Sequence, residues 1–152
     1  MAEIEQHQFT VAVFQDVQWA KRGLDALARH GFSPEALTVM AKETVETAAL
    51  IQETFGTDGG KLDLHGIGPV VAHGPLVDAL QGSKADLGRT GVAGAIRRVG
   101  FQDHDGFIFE TLTARGGILV AIRTEPRAAD ALAVLHAYGG GNAAIGAWTG
   151  RV

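Results

Sequence analysis

The side chains in this sequence that could hold a metal or move a proton are few, and the histidines lead them. There are six histidines and no cysteines. Without thiolates, disulfides, cysteine zinc sites, iron–sulfur clusters and cysteine nucleophiles are excluded. His65 and His73 flank the Gly- and Pro-rich stretch Gly66–Pro75, and Asp63 lies just upstream. Imidazole and carboxylate together suit a divalent transition metal. If this stretch folds back as a hairpin, Asp63, His65 and His73 form a composite site, and Gly68 lets backbone approach a small ligand. No His-Glu-x-x-His pair strengthens that reading. Asp103-His104-Asp105 lacks the run of oxygen ligands of a calcium loop and reads as a helix cap. His30 and His136 fall in the last turns of two expected helices, where a cation interacts well with the helix dipole. The serines, Ser33 and Ser83, lie outside any Gly-x-Ser-x-Gly elbow. Gly139-Gly140-Gly141 follows a helix, whereas a phosphate cradle precedes one. These residues assign no catalytic group and call for no cofactor.

The elements that would position these residues repeat. Phe9–Phe14 alternates Phe9, Val11, Val13 with Thr10, Ala12, Phe14, and both faces are largely apolar, as in an interior strand. Asp16 is placed to cap a helix from Val17 to His30, in which Val17, Ala20, Leu24, Leu27 and Ala28 make the buried stripe. Gly31 stops that helix, and Leu37–Ala41 reads as a second strand. Near the other end, Ile118–Ile122, a helix from Arg127 to Tyr138, and Ala143–Trp148 read as strand, helix and strand. Two such units predict one α+β domain: a ferredoxin-like split βαβ sandwich over residues 1–152, its two halves separated by a helical, glycine-rich insertion over 43–115.

Within the insertion, 44–55 is a weakly amphipathic helix. Leu62–Pro75 is an extended excursion of the kind that forms an edge strand pair, because proline and glycine are tolerated there. Ser83 with Asp86 three residues on is expected to open a helix that runs to about Val99 and stops at Gly100. Gly88, Gly91 and Gly94 recur along it at a spacing of three, with Ala95 beside them. Each glycine costs a helix roughly 1 kcal/mol relative to alanine. Close packing of that face, against the chain's own elements or against another subunit, is what would offset the cost.

The bulk numbers set the class. Hydrophobic residues make up 46% and charged residues 20% of 152 positions, which fits a folded domain. A formal net charge of −4 argues against a nucleic-acid binder. No apolar run approaches the ~20 residues of a membrane-spanning helix. Met1–His7 is polar and acidic, unlike a signal peptide, so a cytoplasmic location is expected. Glycine is the outlier, with 21 residues, about twice the ordinary share of roughly 7%.

Three stretches carry a resemblance. They are Val11–Phe14 through Leu37–Val39, Gly66–Leu76, and Arg115–Val120 followed by a helix and Tyr138-Gly139. Together they resemble the bacterial general stress proteins that carry the heat-induced stress-protein domain. The resemblance implies a small stress-linked α+β protein with no catalytic residues to carry over. The resulting expectation is a non-enzymatic protein that acts through self-association, as a homo-oligomer, or through a protein partner. Gly88, Gly91, Gly94 and Ala95 are its candidate contact face. The alternative is the small-ligand or metal module of Asp63, His65, Gly68 and His73.

Overall fold

A computed structural model describes residues 9–123 and 128–138. Five strands, β1 (Phe9–Phe14), β2 (Leu37–Lys42), β3 (Gly60–Leu64), β4 (Gly68–His73) and β5 (Ile118–Arg123), form one sheet in the order β1-β5-β2-β4-β3. Every neighbouring pair is antiparallel. β1 and β2 therefore run parallel to each other, with β5 between them. Six α-helices accompany the sheet among the described residues: α1 (Val17–Arg29), α2 (Val45–Phe55), α3 (Pro75–Gln81), α4 (Leu87–Ala95), α5 (Asp103–Ala114) and α6 (Ala128–Ala137).

Both faces of the sheet are covered, and strand alternation sorts the residues between them. Val11, Val13, Met40, Val70, Ala72, Leu119 and Ala121 share a core with residues of α3, α4 and α5. Ala12, Phe14, Val39, Ala41, Val71, Val120 and Ile122 share a second core with α1, α2 and α6. This explains why the central strands are apolar at consecutive positions: each side chain enters one core or the other. Each large apolar side chain fully buried in this way contributes about 1.5–3 kcal/mol.

The elements flanking β1, β2 and β5 match their expected positions to within a residue or two. Asp16 accepts from the Trp19 amide at 2.9 Å and caps α1. Thr44 and Thr47 form a reciprocal capping box at α2. Two expectations are corrected. The 43–115 segment is not wholly helical: the excursion expected as an edge strand pair pairs as β3 and β4 at one margin of the sheet, so two of the five strands come from it. The alternation Leu62/Leu64 facing Val70/Ala72 gives that hairpin a face for the core, so it joins the sheet. The expected continuous helix over 83–99 is also broken. It starts only at Leu87, kinks at Gly91 (φ 71°, ψ 175°), and ends in a 3-10 turn over Ile96–Val99 before a left-handed Gly100. The expected fourth core strand, 143–148, lies outside the described residues.

Candidate functional site

β3 and β4 do form a hairpin, closed by the pair Leu64↔Gly68. His65 sits in its turn and His73 at its open end, five residues past Gly68. At about 3.3 Å per strand residue the two are roughly 16 Å apart. Alternation sends the His73 side chain to the α2 side, with Val71, where its ring lies 4.5 Å from that of Phe55. The hairpin thus separates His65 from His73. Among the described residues no group of three or more His, Cys, Asp or Glu side chains is arranged to hold a metal.

The glycines of α4 take up different surroundings. The Gly88 carbonyl accepts from the His65 amide at 2.8 Å, and a Cβ on Gly88 would stand 3.0 Å from the Asp63 carbonyl oxygen. Gly91 is buried, and a Cβ there would stand 2.5 Å from the His65 carbonyl oxygen and 2.8 Å from Glu110 Oε1. Only glycine combines that positive φ with so close an approach. Ala95 is buried in the core, whereas Gly94 is exposed. The kink at Gly91 is what rotates these residues off a common face. Glu110 was not singled out by any sequence pattern. Its carboxylate accepts from the Ala93 amide at 3.0 Å and so caps the second piece of α4 from a different helix.

A different surface opens where β1 and β2 finish. Because these strands are parallel, α1 and α2 both begin at this end of the sheet. Between their first turns lies a cleft of about 460 Å³, lined by Asp16, Val17, Lys42, Thr44, Glu46 and Ile118 among others. Trp19, in the first turn of α1, is 39% exposed, and Val45, the first residue of α2, is 83% exposed. The Arg22 guanidinium stands 5.0 Å over the Trp19 ring, which holds the indole in place. Thus two exposed large apolar side chains stand in the first turns of the two helices that flank one cleft, though neither lines it.

The chain matches no family model, no curated protein and no solved structure. No described helix is long and apolar enough to cross a membrane.

Electrostatics bears on the scaffold around α4. Asp86 accepts from Arg98 at 2.7 Å and from Arg89 at 2.6 Å. The Arg98 hydrogen bond, more than any other contact, holds the Asp86 carboxyl below its ordinary range. Arg98 also donates to the Leu80 and Gln81 carbonyls at the end of α3. At the sheet margin, the Lys61 ammonium is raised above its usual value by its hydrogen bond to Glu43, 2.9 Å away.

That Trp19 and Val45 both flank this cleft was hidden in the sequence because the residues are 26 positions apart and each looks ordinary alone. The one available signal was local. Trp19 and Val45 both lie within three residues of a cap, outside the periodic apolar stripes of their helices.

Proposed function

We propose that this chain is a non-enzymatic interaction protein that self-associates through the strand-end face carrying Trp19 and Val45. The single observation behind this reading is the exposure of those two side chains beside one cleft. Tryptophan anchors of this kind dominate protein interfaces when they enter a partner's pocket. The charges of the cleft suit a two-fold pairing of identical faces. Lys42 has no ion pair among the described residues, and Glu46 lines the same cleft. Across a two-fold axis, each Lys42 can meet the other copy's Glu46.

The sheet is of the ferredoxin-like split βαβ kind in this reading, supported by the placement of β5 between the parallel β1 and β2. A role in stress rests on the sequence resemblance.

The test is the mass of the protein in solution by light scattering, across a concentration series. Wild-type protein is expected to exceed its monomer mass of 15.9 kDa. The Trp19→Ala/Val45→Ser variant is expected to return to monomer, and Phe107→Ser, an exposed residue of α5, to behave as wild type. A monomeric wild type, or an oligomer indifferent to Trp19 and Val45, rejects the reading.

A further inference from the structure

The other margin of the sheet carries a different opportunity. β3 is the last strand of the order, and no described strand pairs with its outer side. Antiparallel partners alternate between hydrogen-bonded and non-hydrogen-bonded pairs. Asp63 faces Pro69, which has no N–H to give, so that pair is of the second kind. By the same parity Lys61↔Val71 is too, and the Lys61 N–H and C=O point away from β4. Farther along, α4 closes over the edge, since the Asp63 carbonyl lies against Gly88. The open stretch is therefore short and centred on Lys61.

Beside this edge runs a cleft of about 580 Å³. Gly60, Leu62 and Ala72 line it from the hairpin, Val77 and Asp78 from α3, and Glu35 from the turn before β2. A strip bounded by an edge strand on one side and a helix on the other suits an extended peptide that adds as a sixth strand. Gly60, without a side chain, leaves room for a cross-strand neighbour. The charged lining is one-sided: Glu35 and Asp78 are both exposed, and no Lys or Arg lines the cleft. Alternation explains the absence of Lys61. It projects to the opposite face of β3, where Glu43 engages it.

We propose that the β3 edge and the cleft beside α3 take an extended, basic peptide segment of a partner protein by strand addition. Backbone hydrogen bonds to Lys61 supply the pairing. Every second peptide side chain faces the cleft, and lysine or arginine at those positions is drawn toward the carboxylates of Asp78 and Glu35 that line it. The surface is separate from the Trp19–Val45 face, so each reading stands or falls alone.

The probes are two fluorescently tagged, capped pentapeptides, Lys-Val-Lys-Thr-Lys and Glu-Val-Glu-Thr-Glu, read by anisotropy at low and high salt. The basic peptide is expected to bind at least tenfold tighter than the acidic one, and to weaken with salt. Glu35→Gln/Asp78→Asn should remove that preference. Lys61→Pro should weaken basic-peptide binding at least fivefold, because it deletes the outward N–H while an edge strand tolerates proline. Lys61→Ala, which loses only the ion pair, should bind as wild type. Should Lys61→Pro not fold, the exposed Asp78→Lys reversal carries the test and should abolish basic-peptide binding. Equal binding of the two peptides overturns the proposal, as does full binding by Asp78→Lys. A dimer of this chain that Lys61→Pro dissolves, with no peptide binding, would make the occupant a second copy and overturn it as well.

Discussion

Glu110 Oε1 accepts a hydrogen bond from the Ala93 amide at 3.0 Å, so a helix is capped by a residue seventeen positions away on another helix. The kink at Gly91 ends the first piece of α4 and leaves the amides of the second without intrahelical partners. Glu110 supplies the missing acceptor. Removing it by Glu110→Ala is expected to cost about 0.5–2 kcal/mol, the usual range for a lost cap. Glu110→Gln keeps an acceptor oxygen and should lose less than half of that. Urea unfolding midpoints of the three proteins check the order, and an unchanged midpoint for Glu110→Ala would show that the bond carries no stability.

α3 is held in a similar way. The Leu76 amide donates to Thr38 Oγ1, buried in β2, at 3.0 Å. Thr38→Val keeps the shape and deletes the acceptor, leaving a buried amide unpaired. The expected loss is about 1–3 kcal/mol. Thr113 is the converse case. Its hydroxyl is buried with no hydrogen-bond partner among the described residues. Thr113→Val removes a desolvated polar group at nearly constant volume and should stabilise the protein by about 1 kcal/mol. Thermal melts of the two variants should therefore move in opposite directions. A destabilised Thr113→Val would mean that the hydroxyl has a partner in solution.

These two caps also show why the sequence was readable in one part of the chain and opaque in another. α1 and α2 are capped by Asp16 and Thr44, residues adjacent in sequence, and their starts were legible as local patterns. The start of α3 depends on Thr38 and that of the second piece of α4 on Glu110. No local window contains those partners. Ser83 looked like a cap for α4, yet the Leu87 amide instead donates to Gln81 Oε1 at 2.9 Å. The hairpin was legible as an edge strand pair, because glycine and proline are tolerated at a sheet margin, and it lies at one. Its neighbour was not legible, since the pairing of β4 with β2 leaves no mark in a local window. Similarly, His65 and His73 flank one hairpin, but one sits in its turn and the other at its open end, and the rise of β4 carries them apart.

The Asp86–Arg98 pair predicts a pH dependence. Its hydrogen bonds depress the Asp86 carboxyl in the folded state. An acid with a depressed folded value adds stability that is present above its unfolded value, about 3.9, and is lost as pH falls through the folded one. Stability of the wild type should therefore drop between about pH 4 and lower pH by more than that of Asp86→Asn, which has no proton to take up there. Urea midpoints at pH 6 and pH 3 measure the difference. Equal drops in the two proteins would mean that Arg98 and Arg89 do not hold the carboxylate in solution.

The glycines of α4 yield the sharpest separation of structural from surface roles. An alanine at Gly91 must adopt a positive φ and places its Cβ against two oxygen atoms. Strain of about 1–3 kcal/mol adds to an overpacking cost of similar size, so Gly91→Ala should be the most damaging of the three. At Gly88 the φ is not positive, but the Asp63 carbonyl must give way by a few tenths of an ångström, and a smaller loss is expected. Gly94 is exposed, and its Cβ would approach only Thr90, at 3.1 Å. There the gain in helix propensity, up to about 1 kcal/mol, opposes the crowding, and Gly94→Ala should be close to neutral. Unfolding midpoints ranked Gly94→Ala above Gly88→Ala above Gly91→Ala would confirm that the kink at Gly91 is imposed by packing against the hairpin turn. If Gly91→Ala is the mildest instead, the kink relaxes into continuous helix in solution, and the close approach of His65 and Glu110 is lost with it.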